Sequence, residues 1–240
     1  MMEKKTVVIT GGSAGIGLSI VEHLLAADYR VVNLSRRGLP DSYADVDNHE
    51  IDLIERGSVT KICETLEALD VYGFVHNAGI IRADLIEDVS LEDLDDLNQL
   101  HLGAAIQLVQ ALLPGMKRQG EGRIVLTSSR ASVGMKTRTS YSATKAAQIA
   151  LARTWALELG EHGITVNTVA PGPIQSTEMF HEVVPKGSPT LEKMAEKIPV
   201  KRLGEPHDVA NAVMFFLDPA SSFVTGQNLF VCGGTSIESG

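Results

Sequence analysis

With 240 residues, 44% of them hydrophobic and 21% charged, the chain has enough apolar material for one full-sized α/β core. A formal net charge of −9 argues against a general nucleic-acid surface, which would be basic. Two cysteines, Cys63 and Cys232, are too few for a disulfide framework and read as small buried apolar residues.

The N-terminus passes from two lysines straight into a strand pattern, with no apolar stretch of signal-peptide type. Nowhere do about 18 apolar residues run together, so no membrane span is predicted and a cytoplasmic location is expected. Residues 6–10 (TVVIT) form a β-branched run suited to a strand covered on both faces. A glycine-rich turn follows, and residues 16–27 have helical apolar spacing. Strands are expected at 30–34 and 48–53, a helix at 58–69, and a strand at 71–76 ending on Asn77-Ala78-Gly79. The acidic run that follows reads as a solvated helix start capped by Ser90. Residues 91–116 read as one long helix, 123–128 as a strand, 140–160 as a helix and 165–169 as a strand ending on Pro171-Gly172. A helix at 206–217 and a strand at 228–232 close the chain. The least regular stretch, 174–199, contains Pro185, Gly187, Pro189 and Pro199 and is a candidate mobile lid.

Strands and helices alternate, and the strands lack polar alternation. The expected fold is therefore α/β, a doubly wound parallel sheet of about seven strands in a single domain spanning 1–240. The histidines show no metal-ligand spacing, so no metal is expected. Trp155 reads as core or subunit interface.

Thr10-Gly11-Gly12-Ser13-Ala14-Gly15-Ile16-Gly17 lies between the first strand and the first helix. Glycines there let the backbone approach a pyrophosphate, and the helix N-terminus offers free N–H groups and a positive dipole end. At the end of the second strand, where an NAD-binding site usually carries an acid, the chain reads Leu34-Ser35-Arg36-Arg37. Two guanidinium groups favour a 2′-phosphate, so NADP(H) is preferred, with NAD(H) possible. Tyr141 and Lys145 stand four residues apart on one helix face. A tyrosine beside an ammonium is expected to have a lowered pKa, and such a pair can exchange a proton with a carbonyl or alcohol oxygen.

These motifs resemble the short-chain dehydrogenase/reductase family. Residues 10–17, Asn77-Ala78-Gly79, Ser128-Ser129, Tyr141 with Lys145, Pro171-Gly172 and Gly233-Gly234 occur in the family's order along nearly the whole chain. The resemblance implies a Rossmann-type fold and hydride transfer between a nicotinamide and a carbonyl or secondary alcohol, similar to 3-oxoacyl-[acyl-carrier-protein] reductases or to small-ketone reductases. It implies Tyr141 as general acid/base and Lys145 on the nicotinamide ribose. The cofactor would also meet Gly11, Ser13 to Gly17, Asp52 and Leu53 near the adenine, Asn77 to Gly79, Pro171, Gly172 and Ile174. A homotetramer or homodimer and a small-molecule carbonyl or alcohol substrate are implied as well.

Two departures stand out. Counting thirteen residues back from Tyr141 gives Ser128 as the catalytic serine, whereas aligning strand 122–129 gives Ser129, which requires only a loop deletion; Ser129 is favoured. The position of the family's relay asparagine, thirteen residues before Pro114, holds His101. That histidine can continue the relay or be a packed residue. His76 is read as structural. A second reading, from another functional class, is a nucleotide-binding regulatory or scaffold protein with little turnover. His101 is its main support.

Overall fold

The computed structural model describes residues 4–184, 187–188 and 190–237, apart from the side chains of Met179, Glu182 and Val183. Along the chain come β1 (Thr6–Thr10), α1 (Gly15–Ala26), β2 (Arg30–Ser35), β3 (Asp47–Glu50), α2 (Arg56–Leu66), β4 (Val71–His76) and α3 (Leu91–Asn98). They are followed by α4 (Ala104–Gln119), β5 (Gly122–Thr127), α5 (Thr139–Leu159), β6 (Ile164–Pro171), α6 (Glu178–Val183), α7 (Thr190–Lys197), α8 (Pro206–Leu217) and β7 (Asn228–Val231). The seven strands form one sheet in the order β3-β2-β1-β4-β5-β6-β7, and every pairing is parallel.

The unbroken apolar runs have a simple cause: both faces of the sheet are covered. Successive residues of β1 point to opposite layers. Val7 and Ile9 pack with Ile20 and Leu24 of α1 and Val213 of α8. Val8 packs with Val59 of α2, Leu108 of α4 and Ala152 of α5. Trp155 is partly buried against this second cluster.

The expected long helix is interrupted. Between α3 and α4 lies one wider π turn, Gln99–Gly103, with buried His101 at its middle. A π turn adds a residue to the hydrogen-bonded ring and turns side chains relative to a regular helix. Apolar periodicity continues across it, so the sequence reads as one element. Ser90 caps α3, its Oγ accepting from Glu92 N at 3.1 Å and Asp93 N at 3.5 Å. Stretch 174–199 is more regular than expected, since it contains α6 and α7. Of its expected breakers, Pro185 and Pro189 lie outside the described residues.

Strand order reverses direction between β1 and β4, which places a crevice beyond their carboxyl ends. There Thr10 pairs in register with His76. Thr10 Oγ1 accepts from Asn77 N and Ala78 N, both at 3.0 Å, and lies 3.1 Å from His76 Nδ1. With both lone pairs engaged, the hydroxyl donates to Nδ1. His76 then donates from Nε2 to Leu100 O at 3.0 Å. One side chain thus ties β1, β4 and the start of the π turn. Thr10→Val preserves the shape and strands two backbone donors and a ring nitrogen. It is expected to lower stability by about 2–4 kcal/mol in urea unfolding, and a loss under about 1 kcal/mol would contradict this account.

Candidate active site

The crevice opens into a cleft of about 1180 Å³. Every residue expected at the cofactor lines it, from the glycine turn to Ile174, and so do Ser128, Ser129, Tyr141 and Lys145. His101 does not line it; it lies behind Gly79, where a Cβ would come 3.1 Å from His101 Nε2 and 3.4 Å from Lys145 Nζ.

The glycine turn is built around close approach. A Cβ on Gly17 would run into the Gly11 carbonyl and lie 2.7 Å from Asn77 Nδ2. Gly15 takes φ +54, a left-handed conformation that glycine adopts without strain. Ala14, at the N-cap of α1, has no side chain to cap the helix, and no acid stands in the first turn. The first-turn N–H groups therefore face the cleft as donors, which fits a pyrophosphate.

Buried Asn33, overlooked in the sequence, sets the geometry of this end. Its Oδ1 accepts from Gly12 N at 3.0 Å, and its Nδ2 donates to Ser35 Oγ and Asn48 Oδ1, both at 2.9 Å. Ser35 Oγ in turn donates to Arg37 O at 2.7 Å, so its hydroxyl shapes the arginine loop. Arg36 is exposed. Arg37 reaches across to the start of α6, its Nη1 and Nη2 donating to Glu178 at 3.2 and 2.7 Å. Thr177 beside it leans on the turn, its Cγ2 3.1 Å from where a Gly15 Cβ would stand. Asp52 Oδ1 accepts from Ile54 N at 3.0 Å, and Leu53 is buried beside it.

At the other end the two serines part company. Ser128 Oγ donates to Lys145 O at 2.7 Å, locking the strand end to α5. Ser129 Oγ accepts from Ala131 N at 3.1 Å, which leaves its proton free, and the hydroxyl stands near enough to the Tyr141 phenol to pull that group's pKa down. Lys145 Nζ donates to Thr127 O at 2.7 Å and to Gln148 Oε1 at 3.2 Å. Gln148 Nε2 donates to His101 O at 3.1 Å. Gln148 was legible as a helical neighbour, three residues beyond Lys145, but its partner lies on another helix.

The electrostatics differ from the expected pairing. Burial pushes Tyr141 above its ordinary value, opposed by the Ser129 hydroxyl and the charge of Arg138. Burial also lowers Lys145 to about 7. The lysine does not supply the expected lowering of the tyrosine here, because Nζ is turned towards Thr127 O and Gln148 and sits 5.7 Å from the Tyr141 ring centre.

Both buried histidines are neutral. Burial, with Lys145 nearby, lowers His76 to about 3 and drives His101 well below its ordinary value. Thr144 Oγ1 donates to the carbonyl of Ser140 or Tyr141 and so accepts from His101 Nδ1 at 2.9 Å. His101 Nε2 is then a bare acceptor, with no partner among the described residues. Its ring stands edge-on to Tyr141 at 5.7 Å. No group of three or more His, Cys, Asp or Glu side chains among the described residues could hold a metal ion, and none of the described helices is long and apolar enough to cross a membrane.

The family described as enoyl-(acyl carrier protein) reductase matches residues 11–236. The 3-oxoacyl-[acyl-carrier-protein] reductase FabG of Staphylococcus epidermidis is 34% identical over 243 residues, 96% of this chain and 98% of its own. BbsD of Thauera aromatica, a subunit of (2S)-[(R)-hydroxy(phenyl)methyl]succinyl-CoA dehydrogenase, is 34% identical over 256 residues, 100% of this chain and 99% of its own. The solved structure of ElxO with NADP bound matches with a TM-score of 0.89 at 28% identity, covering 98% of this chain and 100% of that one.

The buried lysine ties stability to pH. Unfolded, Lys145 keeps its proton up to about pH 10.5; folded, only up to about 7. Between those values folding expels a proton, so its contribution makes stability rise with pH across that window and level off below it. Lys145→Met removes the group. The stability gained between pH 7 and 9.5 in urea unfolding is expected to be smaller than in the wild type by about 1–3 kcal/mol. An equal gain would mean that Lys145 keeps its ordinary proton affinity.

Proposed function

Because the chain belongs to the short-chain dehydrogenase/reductase family and is an NAD(P)-dependent enzyme, we propose that it reduces carbonyl groups with NADPH, or oxidises secondary alcohols with NADP⁺. Tyr141 exchanges the oxygen's proton. The observation that carries this reading is the meeting, in one cleft, of an uncapped glycine turn with the Ser129 and Tyr141 hydroxyls and Lys145. The family's nicotinamide cofactor, when bound, supplies or accepts the hydride.

The chain's own residues do the rest. Tyr141, a neutral phenol in its buried setting, is ready to donate to a carbonyl oxygen. Ser129, whose proton is free, holds that oxygen by a hydrogen bond. Ser128 is a strut, occupied by Lys145 O. Lys145 takes the nicotinamide ribose hydroxyls, and with a pKa near neutrality it can return a proton to the tyrosine side. His101 is a neutral acceptor behind Gly79 that orients Thr144 and Lys145, and its burial argues against titration at working pH.

Arg36 and Arg37, with no acid at the end of β2, support NADP(H) over NAD(H). Glu178 must release Arg37 for a 2′-phosphate to take it. Stretch 174–199 serves as the substrate lid. The names of the relatives support a 3-oxoacyl-thioester or small-ketone substrate, while the family's own description adds enoyl thioesters to the compounds to be tried. Pairing of copies into a homodimer or homotetramer through α5 fits the exposure of Leu157, 87% accessible on that helix.

In an NADPH-consumption assay on ketones, acyl thioesters and enoyl thioesters, Tyr141→Phe should lose about 10²–10⁴-fold in kcat. Ser129→Ala should lose far more kcat than Ser128→Ala; the reverse ranking would move the role to Ser128. Titrations of both cofactors should give a Kd for NADPH at least about ten-fold below that for NADH, with the gap shrinking in Arg36→Gln and Arg37→Gln. Tighter NADH binding by the wild type would overturn the cofactor assignment.

A further inference from the structure

Arg138 is the most conspicuous charge that the reaction as described leaves unused. It stands three residues before Tyr141, at the N-cap of α5, and lines the cleft although it is only 8% exposed. A guanidinium cannot shed its proton to relieve burial, so a buried one needs a counter-charge or a full set of acceptors. Arg138 has neither. Nη1 donates to Thr137 O at 3.1 Å and Thr137 Oγ1 at 2.8 Å, both neutral. Among the described residues Nε and Nη2 have no acceptor, and no carboxylate forms an ion pair with the group. Asp84 pairs with Arg138 only through the backbone.

The backbone around it is strained. Thr137 takes φ +63, a left-handed conformation that a β-branched residue adopts at a cost of order 1–3 kcal/mol. That conformation presents both Thr137 oxygens to Nη1 and so fixes the guanidinium plane. The surroundings reinforce the charge. Apart from Tyr141, Lys145, Asp52 and the cluster of Arg36, Arg37 and Glu178, the ionisable residues lining the cleft are Arg82, which Asp93 pairs at 2.8 Å, and Arg130, Arg138, Lys197 and Lys201 against one acid, Glu196. This occurs in a chain of net charge −9.

We infer that Arg138 binds a carboxylate of the substrate, so that the enzyme acts on an oxo acid or the matching hydroxy acid, with the acid group close to the reacting carbon. The free Nε and Nη2 form the fork that accepts a carboxylate in two parallel hydrogen bonds. Placed beside Tyr141, this contact would hold the carbonyl oxygen against the phenol. The inference deepens the oxidoreductase reading and depends on it for the word substrate.

The test separates binding from turnover. Protein loaded with NADP⁺ is titrated calorimetrically with 2-oxohexanoate, 3-oxohexanoate, 4-oxohexanoate and 5-oxohexanoate and with their methyl esters. At least one acid should bind about ten-fold or more tightly than its ester. Arg138→Gln should abolish that preference and leave the ester within about two-fold, and Arg138→Lys should restore part of it. A merely structural role would weaken acid and ester alike. Equal losses, or no acid preferred over its ester in the wild type, would overturn the inference. NADPH consumption is followed on the same compounds. Binding that depends on Arg138 without turnover leaves the inference standing and counts against the reductase reading. Turnover of acids and esters with equal kcat/KM does the opposite.

Discussion

Keeping a lysine ammonium out of water is the constraint around which the rest of the site is arranged. Lys145 is almost fully buried, and among the described residues the acceptors it meets are the Thr127 carbonyl and the Gln148 amide oxygen. Each of these is fixed elsewhere. Thr127 ends β5, and the next residue, Ser128, bonds back to Lys145's own carbonyl. Gln148 reaches the π turn through His101 O. The strand end, the long helix and the π turn therefore share one polar cluster. None of the three can move without leaving a buried donor unmet.

The π turn follows from the same requirement. Its extra residue per ring lets the backbone carbonyl of His101 face Gln148 while the imidazole turns towards Thr144 and Tyr141. Gly79 leaves the gap in which His101 Nε2 and Lys145 Nζ approach one point. Two neutral histidines and a lysine lowered to about 7 make this a region where burial, not ion pairing, sets the protonation states. That is why the expected picture, an ammonium lowering a nearby tyrosine, does not describe the site: Nζ is turned to the Thr127 carbonyl and Gln148, and burial weakens its hold on the proton.

Much of the architecture was legible because it depends on local pattern. Apolar runs such as 6–10 identify buried strands, and the glycines of 11–17 announce a turn that only small residues can make. Tyr141 and Lys145 share a face by simple helical spacing. Residues whose role lies in a partner distant in sequence were not legible. Asn33 looks like an ordinary polar residue in a strand until Gly12 and Asn48 are brought to it. Nothing in the spacing of Arg138 says that no acid will meet it. The π turn escapes because an inserted residue leaves apolar periodicity nearly intact, and α6 and α7 escape because prolines and glycines suggest a loop where short helices form. The choice between Ser128 and Ser129 stayed open in the sequence because adjacent residues differ only in which way they point.

Charge unites the two ends of the cleft. The protein as a whole is acidic, yet its cleft collects cations, and the proposed cofactor and the inferred substrate are both anions. A negative exterior repels such ligands at long range, an effect screened over about 8–10 Å at physiological salt, so the attraction acts mainly once a ligand is inside the mouth. The pair between Arg37 and Glu178 belongs to this scheme. Its members are 62% and 67% exposed, which makes the contact weak and readily exchanged. A phosphate dianion offers Arg37 more charge and more acceptors than one carboxylate does. A carboxylate on the first turn of α6 therefore balances Arg37 in the free protein without holding it strongly. Arg138, lining the cleft and fixed by a strained neighbour, has no such internal substitute among the described residues, and that contrast singles it out for an anion from outside.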